Sequence, residues 1–206
     1  MKINTLAVRL GVLATSIVLP GLALAGPPTN VVQSTVVEMR STVAVEDLGA
    51  GLTPEHVIKI SRVLGNRFSF REMARLVLGQ HWQPLSAQER TEFVQLFRGL
   101  LIRSFLLKLT THPEVEQHYV GERIEGDRAV VQALVRTAMG ELLVDYFLLP
   151  HNGSWKICDL TIDGVRLSHT YRADIHRVIS LSSYKELVRR MSVKLEEVTM
   201  GASSQK

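Results

Sequence analysis

From Gly126 to Leu167 the chain carries three β-rich, largely apolar runs. They are Gly126–Thr137, Met139–Pro150 and Ser154–Ile162, separated by Ala138-Met139-Gly140 and His151-Asn152-Gly153. Period-two alternation between short turn-forming stretches predicts strands, and short connections predict antiparallel neighbours. The middle run puts Leu142, Val144, Tyr146 and Leu148 on one face and Leu143, Asp145, Phe147 and Leu149 on the other. Asp145 apart, both faces are apolar. A sheet with one wet face does not read this way, so both sides call for cover: helices on one, and more protein or an apolar ligand on the other.

Helical spacing dominates before and after the strands. Val32, Val36, Met39 and Val43 form one stripe over about Asn30–Asp47, ended by Gly49-Ala50-Gly51. Thr53 as N-cap with Pro54 at the first helical position starts a second helix to about Leu64, with Leu52 and Val57 as its staple. Ser69 with Glu72, flanked by Phe68 and Met73, reads as a capping box opening a short helix that Gly79 ends. Ser86 with Glu89 opens a long helix to about Thr110. Its first half carries one stripe, Phe93, Leu96, Phe97 and Leu100. Its second half, with Leu101, Ile102, Phe105, Leu106, Leu107 and Leu109, is apolar nearly all round and therefore predicted to be covered on all sides. Tyr119–Ile124 is a first strand, and Asp163-Gly164 turns the chain inside a fifth apolar stretch. A helix from about Tyr171 carries Tyr171, Ile175 and Ile179, and Ser183 with Glu186 caps the last one, whose stripe is Leu187, Met191 and Leu195. Helices, then an antiparallel sheet, then helices is a single α+β domain.

The N-terminus reads differently. Lys2 and Arg9 flank an apolar run, Leu10–Leu24, that closes on Ala23-Leu24-Ala25, the small-x-small pattern of a signal peptide cleaved after Ala25. Residues 1–25 are thus expected to be a signal peptide and 26–206 one exported domain, most simply periplasmic. Gly26 rather than Cys follows the cut, so no lipoprotein is expected. The 206 residues carry a net charge of +4 without a Lys/Arg block, which speaks against nucleic acid as a partner. The single cysteine, Cys158, excludes an intramolecular disulfide and lies in a strand, where a buried thiol is expected.

Catalytic patterns are missing. There is no Gly-x-Ser-x-Gly and no phosphate-binding glycine loop, and the seven histidines show no His-x-x-x-His pair, so no metal is expected. Asp145 and Asp159 are expected as partners of arginine or backbone N–H groups, with a buried general base as the alternative, and Asp163 as turn chemistry before Gly164. Arg172, beside Tyr171, is expected to be a structural ion-pair partner, and Trp82 and Trp155 to be core edges. What remains is a surplus of apolar residues.

The stretch Phe70-x-x-Met73-Ala74-Arg75-x-x-Leu78-Gly79-x-x-Trp82, then Gln88-x-x-x-x-Phe93-x-x-x-Phe97, resembles the MlaC or toluene-tolerance family of exported phospholipid-binding proteins. So does Trp155-Lys156-Ile157-Cys158-Asp159-Leu160-x-Ile162-x-Gly164-Val165-x-Leu167 with Tyr171-Arg172, and the resemblance spans about Val31–Val198. It implies helices around a strongly curved antiparallel sheet, similar to a nuclear-transport-factor-like cone, with a deep apolar pocket for acyl chains. It implies a phospholipid as cargo rather than a cofactor. It also implies a monomeric, non-enzymatic shuttle between an outer-membrane lipoprotein complex and the substrate-binding ring protein of an inner-membrane ABC transporter, serving outer-membrane lipid asymmetry. Two departures stand out: Arg166 where the family often has Ser, and Ile179–Ser183 where it often has a glycine-rich link. They leave a carrier of another lipid, such as a hopanoid, as an alternative, beside an exported enzyme on the same scaffold using a buried Asp and a plain interaction module.

Burying a lipid chain is worth about 0.8 kcal/mol per methylene, on the order of 20 kcal/mol for two long chains, which only a closed apolar cavity supplies. The cavity is expected between the concave face of the sheet and the helices Ser69–Leu78 and Ser86–Thr110. Its lining candidates are Phe70, Met73, Val77, Leu101, Phe105, Val131, Val144, Tyr146 and Trp155. Candidate docking surfaces are the Arg166–Arg172 region and Arg189 with Arg190. The export reading has a direct check: N-terminal sequencing of the periplasmic fraction is expected to begin at Gly26, and a membrane-bound chain beginning at Met1 would overturn it.

Overall fold

Turn chemistry and capping residues set most of the element boundaries in the structure, a computed structural model. It describes residues 27–42, 53–111, 116–137 and 140–201, the side chains of 107–111 and 198–201 excepted. In chain order the elements are α1 (Pro27–Thr42), α2 (Pro54–Arg67), α3 (Phe70–Leu78), a 3-10 turn (Gly79–His81) and α4 (Ala87–Thr111). The strands β1 (Glu116–Glu125), β2 (Arg128–Thr137), β3 (Gly140–His151), β4 (Ser154–Ile162) and β5 (Val165–Arg166) follow, then α5 (Leu167–Leu181) and α6 (Tyr184–Gly201). The expected α+β order is observed. The export segment Met1–Ala25, the last residues of the first predicted helix (Val43–Asp47) with its Gly49-Ala50-Gly51 stop, and Leu52 lie outside the described residues.

The strands form one antiparallel meander in the order β1-β2-β3-β4-β5. Asn152-Gly153 and Asp163-Gly164 are two-residue hairpin turns with both residues at positive φ, 48° and 74° in the first and 48° and 79° in the second. Such turns match the right-handed twist of the strands they join. Asp163 also accepts the Leu143 N–H through its carboxylate at 2.8 Å. The sheet is open and not strongly curled, which corrects the expected cone. β5 is two residues long and pairs only with β4, so β1 and β5 remain separate edges and nothing draws the far side of the sheet back.

Two apolar cores result. The helical core gathers Ile60 of α2, Met73 of α3, Phe93 and Phe97 of α4, Ile175 of α5 and Leu187 of α6, and no strand residue belongs to it. The sheet core joins Val31 and Val32 of α1 to Ala129, Val131, Leu148 and Ile157. Phe68 packs against both. Its neighbour Ser69 donates its N–H to the Ile157 carbonyl at 2.8 Å, a parallel bridge between the start of α3 and β4.

That bridge explains one correction. The predicted capping box of Ser69 and Glu72 does not form: Ser69 makes no side-chain cap bond, and Glu72 pairs with Arg75 at 2.8 Å. The capping boxes at Ser86 and Glu89 and the Ser183 cap do form. Thr53 caps α2 in a reciprocal pair with His56. Gly79 ends α3 at φ 55°, and the Arg172 guanidinium lies so close that a Cβ there would meet Nε at 3.2 Å.

α5 begins at Leu167, four positions before the sequence reading, because β4 caps it. The buried Asp159 carboxylate accepts the Ser168 hydroxyl at 2.6 Å, the Ser168 N–H at 3.2 Å and the Leu160 N–H at 2.9 Å. Arg166 Nε stands 3.5 Å from its second oxygen. An anion at a helix N-terminus is favoured by the backbone dipole as well. Replacing Asp159 with Ala strands these donors in the interior, and Asp159→Ala is expected to cost roughly 2–4 kcal/mol. Urea unfolding of the variant beside the parent measures it, and an unchanged midpoint would refute this account of the β4–α5 junction.

Candidate functional site

One face of the sheet is covered by α1 and is apolar almost throughout. Register places Ala129, Val131, Ala133 and Val135 of β2 opposite Leu148, Tyr146, Val144 and Leu142 of β3, so these side chains share it. Tyr119 and Gln117 of β1 join them opposite Ala133 and Val135, as do Leu160, Ile157 and Trp155 of β4. α1 is fastened across this face at both ends. The Glu122 carboxylate of β1 accepts the Thr29 N–H at 2.8 Å and the Thr29 hydroxyl at 2.5 Å in its first turn. Near its other end Glu38 pairs with Arg67 of α2 at 3.2 Å. Both partners sit where helix electrostatics or direct pairing favours them.

The cover is incomplete. Val131, Ala133 and Leu148 are fully buried, whereas Tyr119, Leu142, Tyr146, Trp155 and Leu160 are half-buried, and Ile162 is 38% exposed. Across the helical core the same holds for α4: Ile102 and Leu106 are buried, while Leu100, Leu101 and Phe105 are half-buried against that core. Partly open apolar side chains thus occur on both cores, and Phe68 packs against each core.

The nine sequence-derived lining candidates divide between these cores. Phe70, Met73 and Val77 are buried in the helical core, and Leu101 and Phe105 pack on it half-buried. Val131 is buried in the sheet core with Tyr146 and Trp155 packed against it. Val144, 8% exposed, shares that sheet face. The structure brings each set together, and Phe68 alone among the described residues packs against both clusters. Sequence reading missed the part of Phe68, taken only as a staple, and that of α1, whose Val31 and Val32 belong to the sheet core. It also missed Gln117, whose Oε1 accepts the Tyr146 hydroxyl at 3.2 Å. A start of β1 three residues earlier than Tyr119 would have revealed Gln117 by alternation with Tyr119.

The polar candidates are committed to the scaffold. Asp159 meets Arg166 and backbone N–H groups, as expected, and its described donors and Arg166 occupy the acceptor positions a general base needs free. Asp145 instead accepts from the side chains of Gln132 at 2.9 Å and Thr161 at 2.7 Å. Cys158 is buried, with its thiol pushed up to about 11, chiefly by burial. Among the described residues no group of three or more His, Cys, Asp or Glu is placed to hold a metal ion. The expected ion pair of Arg172 is corrected: its Nε and Nη2 both donate to the Leu76 carbonyl at the end of α3, a carbonyl left open by helix geometry.

The docking candidates Arg166, Arg189 and Arg190 are held as well, as are Arg71 and Arg90. Arg166 lies 4.0 Å over the Phe147 ring on the opposite sheet face, beside Asp159. Arg71 and Arg90 flank the buried Trp82 at 5.5 and 5.3 Å. Arg189 and Arg190 both bond Glu186, at 2.7 and 2.8 Å, and hold its carboxyl down to about 2.

Against known proteins, the family model described as MlaC protein matches residues 34–193. No curated protein matches the sequence. Among solved structures, the fold is similar to that of a phospholipid-binding protein from Ralstonia solanacearum, determined in complex with a phospholipid. The TM-score is 0.72 at 22% identity, covering 82% of this chain and 97% of that one. No helix among the described residues is long and apolar enough to cross a membrane.

Proposed function

The chain belongs to the MlaC family, and on that premise we propose that it is a phospholipid carrier rather than an enzyme. The observation that carries this reading is the presence of partly open apolar side chains on both cores, which Phe68 links, on a fold similar to that of a protein solved with phospholipid bound. Acyl chains lie between the sheet face of Tyr119, Tyr146 and Leu160 and the half-buried side of α4 at Leu101 and Phe105. Both surfaces gain apolar contact from the chains without rebuilding either core, and each buried methylene adds about 0.8 kcal/mol. The buried candidates Phe70, Met73, Val77, Val131 and Val144 form the walls behind these surfaces, and Trp155 borders the sheet side.

In the cell, the carrier is exported with cleavage after Ala25 and works in the periplasm. It exchanges lipid between an outer-membrane lipoprotein complex and the ring protein of an inner-membrane ABC transporter, with Arg166–Arg172 and the Arg189–Arg190 side of α6 as docking surfaces. The carboxylates that a catalytic alternative needs are engaged with protein donors, which favours carrying over catalysis.

Organic extraction and mass spectrometry of the purified protein test the proposal. Phospholipid is the expected cargo; a hopanoid would replace it as the lipid class, and an empty extract from folded protein would overturn the carrier reading. Leu101→Asp is expected to abolish co-purified lipid while leaving the protein folded, because that position is half-buried and admits water. Val77→Asp, at a position 1% exposed, is expected to cost roughly 4 kcal/mol or more. A Leu101→Asp variant that keeps its lipid would show that α4 does not line the site.

A further inference from the structure

Among the described residues, one buried side-chain nitrogen or oxygen has no hydrogen-bond partner: Nε2 of Gln117. The residue stands on β1 opposite Val135, on the face shared by Tyr119, Ala133, Val144 and Tyr146. Its Oε1 accepts the Tyr146 hydroxyl at 3.2 Å, which fixes the amide and leaves both N–H bonds of Nε2 buried without an acceptor. Buried donors are almost always satisfied, and an exception calls for a partner that comes and goes. No cationic side chain of the strands shares this face.

We propose that Gln117, oriented by Tyr146, is a neutral polar anchor that donates to an ester carbonyl of the bound lipid, which sets the depth at which the glycerol backbone rests. The proposal rests on the carrier reading and adds to it the part of the ligand that the apolar surface leaves unrecognised. An amide suits a neutral acceptor better than a phosphate, whose charge needs pairing to be buried; no strand cation shares the face, and the cation of α1 that acts on Tyr119, Arg40, is exposed to solvent. Burial raises the Tyr146 hydroxyl, and burial with Tyr146 nearby pushes Tyr119 up to about 12. Both therefore stay protonated at physiological pH, and Tyr146 remains the donor that orients the amide. An ether-linked lipid of the same length offers the same methylenes but a far weaker acceptor, so it would leave Nε2 unsatisfied.

The experiment loads delipidated full-length protein from vesicles holding equal amounts of diacyl phosphatidylethanolamine and its dialkyl ether analogue, and reads the bound ratio by mass spectrometry. The parent is expected to favour the diacyl lipid about five- to tenfold, the worth of one such hydrogen bond. Gln117→Leu is expected to take up both lipids near parity and, empty, to melt no lower than the parent, since it removes a stranded amide. Tyr146→Phe is expected to reduce the preference without abolishing uptake. Parity in the parent overturns the anchor while leaving the carrier intact, and needs no variant that folds. A preference undiminished in Gln117→Leu also overturns it. A parent that takes up neither lipid overturns the carrier reading and the anchor together.

Discussion

The buried carboxylate of Asp159 is the interaction on which the joining of sheet and helices depends. β4 carries it one residue from Cys158 and two from Ile157, at an irregularity where the β3–β4 register shifts between Phe147 and Leu148. The extra residue lets Ile157 point into the sheet core while Asp159 reaches the first turn of α5. A charge taken out of water is tolerable only when its acceptor positions are filled, and here Ser168, Leu160 and Arg166 surround it. On the same strand the Ile157 carbonyl holds Ser69 at the start of α3. β4 is thus where the two cores are tied, by these polar contacts together with the packing of Phe68 on both.

That division bears on carrying a lipid. If one continuous core joined sheet and helices, emptying a cavity in its middle would forfeit packing throughout, because interiors are close-packed and relax only in part. With separate cores, each keeps its own contacts. α2, α3, α4, α5 and α6 pack on one another around Phe93, and α1 closes on β2 and β4 through Val31 and Val32. On the proposed function, cargo enters and leaves between units that are already stable.

The cations tell a consistent story. Arg166, the departure from the family pattern, is spent on Phe147 and Asp159; Arg172 on the open end of α3; Arg189 and Arg190 on Glu186. None of these side chains reaches the apolar sheet face. Selection of a lipid through its head group would need convergent charge there, whereas the polar groups the strands offer on that face include the Tyr119 and Tyr146 hydroxyls and the Gln117 amide, with Glu122 engaged by Thr29.

Much of this was legible in the chain. Alternation through β3, the turns Asn152-Gly153 and Asp163-Gly164, and the caps at Thr53, Ser86 and Ser183 depend on neighbours within a few residues, and they gave the elements, their order and the antiparallel meander. The family motifs at Phe70–Trp82 and Trp155–Leu167 placed the chain among its relatives. Local signals erred where a distant group competed: Ser69 surrendered its capping box to Ile157, and α5 started early because Asp159 supplied its cap. The site suffered most, since lining residues are defined by what lies across a gap. Stripes and alternation named apolar positions correctly but not their partners, so Met73 and Val131 entered one list and belong to two cores. The curvature of the sheet, the placement of α1 by Glu122 and the meeting of Gln117 with Tyr146 across β1, β2 and β3 arise from contacts distant in sequence, which no local periodicity encodes; only the tertiary structure decided them.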